Sequence, residues 1–444
     1  TGANTVDPVF TGGDGVAVSP SSWTEIANLL YIDARNAGFS YSIGDPKTGF
    51  GIRNFNPFID GADFIRVLLR FFDAHESLRK NPVMIVGESY GGVRSSVMLN
   101  VLLNYRRYAG VSDLYRDDAL AGEIQRHLER VFDAGAGVEL SPETVARQFG
   151  RQVLVQPYLF GDMQDDVSGK LFEAPGSPIY TIAAETGRPY ATCAQKAEKD
   201  CDPKGNALTF VSAAGRDYYK YDEVRNWVND RIDRSVVPVM SSTYGYKALL
   251  DSSPFEIPMM YASQRMNGYK VTSEPVQTGA NAQKRRWLAY SHRRQLAMQA
   301  GLTGFESAFG VLDRDDAYFV SCNDPVFYTF NSDGQGAVSY SGALYGRMFL
   351  ENLLYVKTLT TNAPHDLICY PAAVPQSAAR YPEVISVDPG DSEFTVRFID
   401  GAFGMTSGQV TRTVAFPYYG LSGHPVEMSQ SVKFLDDVKL WMLK

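Results

Sequence analysis

The sequence predicts an α/β fold: a mostly parallel central sheet flanked by helices, with a largely helical cap inserted into it. Three observations predict it. Strand-like and helix-like patterns alternate through the first hundred residues. A glycine-bracketed serine, Gly87-Glu88-Ser89-Tyr90-Gly91, stands at one strand-to-helix junction. Strand patterns return in the last hundred residues, after a middle of different texture.

Leu29-Leu30-Tyr31-Ile32 is a short apolar run of the form a buried strand takes. The three-to-four spacing of Phe64, Val67, Leu68, Phe71, Phe72 and His75 predicts a helix over residues 60–78. Val83-Met84-Ile85-Val86 is the next buried strand. After Gly92, the residues Val93, Val97, Met98, Val101, Leu102 and Tyr105 make one helical face. Strand, helix, strand, helix implies parallel strands covered on both faces. From about residue 106 to 347, helical stretches such as 119–132 and 285–300 alternate with polar loops such as Ala174-Pro175-Gly176-Ser177-Pro178. The later strands are 356–360, 394–398 and 410–416. A closing helix over Ser431–Leu443 should turn Val432, Leu435, Val438 and Leu440 or Trp441 inward.

At 444 residues the chain exceeds the roughly 250–300 at which a single core stops growing. Three parts are expected: residues 1–105 as the first part of the core, 106–347 as a cap, and 348–444 as the last part of the core. Val153-Leu154-Val155 is a candidate further core strand, which leaves the cap boundary open. A net charge of −8 argues against a nucleic-acid partner, because phosphate binding needs a basic face. No apolar run reaches the roughly 18 residues of a membrane span. The four cysteines lack the paired short spacings of a zinc site, so neither metal nor other cofactor is expected. Cys193 and Cys201 are close in a polar stretch and read as a local disulfide, with Cys322 and Cys369 left unpaired. Such a bridge points to an oxidising, secreted or periplasmic setting. Oligomeric state is not legible.

Gly87-Glu88-Ser89-Tyr90-Gly91 fits Gly-x-Ser-x-Gly, and its flanks are those the motif requires: an apolar strand before and an amphipathic helix after. Such a serine sits on a strained turn that lifts its hydroxyl above the sheet, and the N–H of the next residue, Tyr90, faces the place where an oxyanion forms. This is the nucleophile elbow of an α/β-hydrolase, in which the acid and then the histidine follow in chain order. Of five histidines, His75 lies on the apolar face of a helix and reads as structural, and His127 and His292 lie in charged helical stretches and read as solvated, which leaves His365 and His424; His365 adjoins Asp366, and adjacent side chains diverge. His424, in Gly423-His424-Pro425, follows the strand at 410–416, at a strand end where ligands meet open α/β sheets. Asp366 follows the strand at 356–360 in the same way, with Asp388 and Asp391 as competing acids.

These residues together resemble the serine carboxypeptidase family. Gly87-Glu88-Ser89-Tyr90-Gly91-Gly92 resembles its nucleophile signature. Trp23, Ala27 through Asp33, and Gly38-Phe39-Ser40-Tyr41-Ser42 are similar to the segment upstream of it. Asp366-Leu367-Ile368-Cys369 is similar to the acid motif, and Gly423-His424-Pro425-Val426 with Gln430 to the histidine motif. The resemblance covers residues 20–105 and 350–444 and suggests a bacterial-type member. It implies a triad of Ser89, His424 and Asp366. It also implies a protonated Glu88 that hydrogen-bonds the substrate's terminal carboxylate, and a pocket near Cys369 and Pro425. The implied reaction is release of C-terminal residues from peptides, favoured at acid pH. The substrate is a peptide or small ester. An esterase or acyltransferase on the same triad, or a catalytically silent binding protein, are the alternatives.

The chain departs from the family in places. Ala34-Arg35-Asn36-Ala37 replaces the usual Pro and Gly, Glu427 replaces a proline after the histidine, and the Asn-Gly-Gly-Pro-Gly segment is not found. Thr11-Gly12-Gly13-Asp14-Gly15 lacks that segment's proline and reads as a surface loop. The second oxyanion donor is therefore expected from a preceding segment or a second chain.

Overall fold

Parallel strands need cover on both faces, and the two ends of the chain supply it. The computed structural model describes residues 21–32, 57–109, 117–161, 342–364, 369–422 and 426–444, with short pieces at 4–5, 17–18, 42–43, 163–164, 167, 209–211, 218–220 and 317–318. Among the described residues six strands form the central sheet: β1 (Met84–Glu88), β2 (Arg151–Val155), β3 (Lys357–Thr360), β4 (Val384–Pro389), β5 (Glu393–Phe398) and β6 (Val410–Ala415). Their order across the sheet is β4-β5-β6-β3-β2-β1. β1, β2, β3 and β6 run parallel, while β4 and β5 extend β6 as an antiparallel ribbon. The helices are α1 (Pro57–Ala74), α2 (Gly91–Leu103), α3 (Asp118–Phe132), α4 (Pro142–Phe149), α5 (Gly342–Asn352), α6 (Ala373–Ala378), α7 (Val426–Ser429) and α8 (Ser431–Leu443).

Side chains alternate across the sheet as the two-residue period demands. Ile85 and Leu154 point to the face covered by α2 and α5, whereas Met84, Val153, Val155 and Leu359 point to the face covered by Trp23 and α8. Helix α2 is buried nearly all round because it lies between the sheet and the outer helices. Its Arg94 holds the buried Asp60 of α1 with two bonds, Nε at 2.7 Å and a terminal nitrogen at 3.3 Å. Asn352 of α5 accepts from Asn100 at 3.0 Å and donates to the Ser96 carbonyl at 2.9 Å. Those bonds join the last part of the chain to the first.

Several expectations are corrected here. Leu29-Leu30-Tyr31-Ile32 is not a strand, and Tyr31 is 67% exposed. A strand needs a ladder for its N–H and C=O groups, and no described strand pairs with this run. Residues 117–149, expected within the cap, carry α3 and α4, which join the helical cluster, while the candidate strand at 153–155 lies in the sheet as part of β2, between β1 and β3. The stretch 285–300 lies outside the described residues. Helix α8 turns Phe434, Leu435, Val438 and Trp441 inward, and Leu440 is 60% exposed. Phe434 sets this rotation, since its ring sits 5.4 Å from Trp23 and 5.9 Å from Tyr419. Val432 accordingly faces solvent.

His127 is also buried, not solvated, between Phe72 and Phe149. Gln148 donates its amide N–H to the Arg79 carbonyl, so its oxygen accepts from His127 Nε2 at 3.1 Å. His127 Nδ1 has no partner, and burial lowers the imidazole pKa to about 4. Because the folded value lies below the unfolded ~6.5, the unfolded chain takes up a proton first as pH falls. Stability is unaffected above about pH 6.5 and falls between there and pH 4, by about 3 kcal/mol on this account. His127→Gln keeps a donor to Gln148 and removes the titration. Unfolding midpoints should show wild type losing more stability than the variant between pH 7 and 4.5. Parallel losses would remove His127 as the cause.

Candidate active site

The site begins where β1 stops. A strand that turns at once into a helix needs one residue in a left-handed conformation, and Ser89 takes it with φ 54°. Neighbouring backbone holds the strain in place. Ser89 N–H donates to the Val155 carbonyl at 2.9 Å, and its own carbonyl accepts from Tyr158 at 2.8 Å and Gly92 at 2.8 Å. Two glycines are required by close approach. A Cβ on Gly87 would lie 2.4 Å from the Gly91 carbonyl, and one on Gly92 would lie 2.7 Å from Pro157. Gly91, the last residue of the pentapeptide, has open space and no such requirement.

Tyr90 follows as the cap of α2, with its ring buried over Arg94. Burial, with Asp60 beside it, holds its phenol well above the usual range and so protonated. Glu88, the last residue of β1, is half-buried next to the serine.

The loop after β3 comes back to the serine. Its far end carries Cys369, a buried thiol whose Sγ lies 3.9 Å from Ser89 Oγ. Asp366 and His365 lie outside the described residues, between Ala363 and Cys369. Gln156, directly after β2, bonds both sides of that gap. Its Nε2 donates to the carbonyls of Ala363 and Cys369, each at 3.3 Å, and its Oε1 accepts from Ala363 N–H at 3.1 Å. The competing acids are distant. Asp388 lies on β4 and Asp391 in the turn after it, five strand spacings from β1, or about 24 Å at the usual separation.

The loop after β6 carries His424, which with Gly423 and Pro425 lies outside the described residues. Both sides of it are held. Gln430 Oε1 accepts from Leu421 N–H at 3.0 Å and from the Ser422 hydroxyl at 3.1 Å, and Val426 is buried against Trp23 and α8. Cys193, Cys201 and Cys322 also lie outside the described residues. Among the described residues no group of His, Cys, Asp and Glu could hold a metal ion, and no helix is long and apolar enough to cross a membrane.

Gln156 was not singled out from the sequence. The signal was present: a polar residue ends the apolar run Val153-Leu154-Val155 just where a parallel strand reaches the site edge.

A serine on a strained elbow at the carboxyl edge of a parallel sheet, with Cys369 of the β3 loop against it, defines an α/β-hydrolase core. Residues 6–109 match the model of the serine carboxypeptidase family. Serine carboxypeptidase-like 41 of Arabidopsis thaliana is 29% identical over 146 residues, 32% of this chain and 30% of that protein. Carboxypeptidase sxa2 of Schizosaccharomyces pombe is 32% identical over 88 residues, 20% of this chain and 16% of that protein. The matched stretch thus spans under a third of the length of these relatives. A crystal structure of Kex1(delta)p, a prohormone-processing carboxypeptidase from Saccharomyces cerevisiae, aligns with a TM-score of 0.44 at 13% identity, covering 99% of this chain and 78% of that one. The two relatives are eukaryotic proteins, so the expected bacterial-type membership has no support from them.

Proposed function

We propose that this chain is a serine carboxypeptidase, releasing C-terminal residues from peptides through an acyl-enzyme on Ser89. The observation that carries the reading is the elbow with Cys369, three residues after Asp366 in sequence, against it, which supports an acid drawn from the β3 loop. Ser89 attacks the scissile carbonyl, and His424 takes its proton and returns it to the leaving amine. Asp366 orients the imidazole, and the Tyr90 N–H stabilises the oxyanion. Cys369 and Pro425 line the pocket. The Cys193 and Cys201 spacing supports work in a secreted or periplasmic setting.

Glu88 supplies the preference for a free C-terminus. Its carboxyl hydrogen-bonds the substrate's terminal carboxylate. Glu88→Ala should therefore lower release of amino acids from N-blocked dipeptides far more than hydrolysis of the matching ester, and Glu88→Gln, which keeps a donor, should restore much of the loss. Equal effects on peptide and ester would reject the role. Ester hydrolysis with no peptide release at any pH would make the chain an esterase on the same serine.

A further inference from the structure

A fully buried amide side chain that spends its hydrogen bonds on one loop's backbone fixes that loop's position, because each bond it gave up would leave a buried polar group unsatisfied. Gln156 is such a side chain, with 0% exposure. It sits within the turn that holds the nucleophile. Val155 before it accepts from Ser89 N–H at 2.9 Å, and Tyr158 after it donates to the Ser89 carbonyl at 2.8 Å. Its own backbone is left-handed at φ 42°, which turns the chain sharply as β2 ends. Its N–H donates to Thr361 Oγ1 at 2.9 Å, and that hydroxyl donates back to Gln156 Oε1 at 2.9 Å. Further bonds reach Ala363 and Cys369, which flank Asp366 in sequence.

We infer that Gln156 is a positioning residue of the active site, setting the distance between the nucleophile turn and the loop that carries Asp366. It touches neither substrate nor reacting atoms and acts through Asp366. The inference rests on the proposed role of Asp366 as the acid that orients His424. One side chain thereby ties the second strand of the sheet to the third at the level of the reaction. A shift of this loop moves the carboxylate, and misplacement by about 1 Å costs on the order of 10² in rate.

The test is a double-mutant cycle on the full chain, reading kcat and KM for an N-blocked dipeptide together with the rate of fluorophosphonate labelling. Gln156→Met preserves length and removes both the donor and the acceptor. It should lower kcat and labelling by about 10²-fold and leave KM within about twofold. In an Asp366→Ala background the same substitution should add less than about twofold, since the group it acts through is gone. Thr361→Val, a smaller change, should follow the same pattern and serves if Gln156→Met does not fold by circular dichroism. Equal losses in both backgrounds, or a change confined to KM, would overturn the inference and leave Gln156 a structural residue. Wild-type turnover in Asp366→Ala alone would overturn it differently, by removing the acid role on which it rests.

Discussion

Ser89→Ala should abolish fluorophosphonate labelling and lower turnover by about 10⁶-fold, the loss typical of a serine-protease nucleophile. The variant should fold as wild type does. Ser89 owes its φ of 54° to backbone bonds with Val155, Tyr158 and Gly92, and none of these uses the hydroxyl. Alanine keeps the Cβ and so carries the same strain. The substitution thus removes chemistry and leaves structure, which is what makes it informative. Cys369, with Sγ 3.9 Å from Oγ, is a second nucleophile beside it. Labelling that survives in Ser89→Ala would move the nucleophile elsewhere. Labelling lost together with the unfolding transition would say only that the turn had collapsed, so both are measured on the same sample.

His424→Ala should match Ser89→Ala within about tenfold, and Ser89→Ala/His424→Ala should be little worse than either alone, because the pair acts as a unit. Asp366→Asn should lower kcat by about 10⁴-fold, since an amide leaves the loop in place and turns the imidazole to the wrong tautomer. Asp388→Asn is the control. Asp388 is exposed on β4, bonded to the Ser386 hydroxyl at 3.0 Å, and its loss should leave turnover unchanged. Single-turnover kinetics with an ester substrate distinguish these variants, because acylation is the step each one slows. Losses that multiply across Ser89 and His424, or an Asp388→Asn as damaged as Asp366→Asn, would contradict the proposed triad.

The elements nearest the nucleophile were the ones the sequence made legible. β1, the elbow and α2 read directly, because an apolar run, a glycine-flanked turn and an amphipathic helix are all local signals. β5 was legible for the same reason: Phe394, Val396 and Phe398 alternate inward with polar neighbours. Its partner β4 was missed, since an edge strand with largely exposed positions has little apolar pattern, though Pro389-Gly390-Asp391 gave a turn signal. Leu29-Leu30-Tyr31-Ile32 failed in the opposite sense, as an apolar run without a described ladder partner. α8 was placed correctly, but its rotation depended on which ring met Trp23 and Tyr419, a tertiary fact. His127 lay among charged residues in sequence, and only the packing of α3 against Phe72 and Phe149 buried it. Gln156 works through contacts up to 213 residues away, beyond any local pattern, whereas Gln430, read with the histidine motif, bonds residues only eight and nine positions before it.

The most direct measurement of the central claim uses one N-blocked dipeptide in two forms, with a free C-terminal carboxylate and with a C-terminal amide. Both carry the same scissile bond, so they separate recognition of the carboxylate from general hydrolysis. A serine carboxypeptidase on Ser89 should release the C-terminal amino acid from the free-acid form at acid pH, much faster than it cleaves the amide, and Ser89→Ala should release none. Equal cleavage of the two forms, or release that persists in Ser89→Ala, would contradict the account.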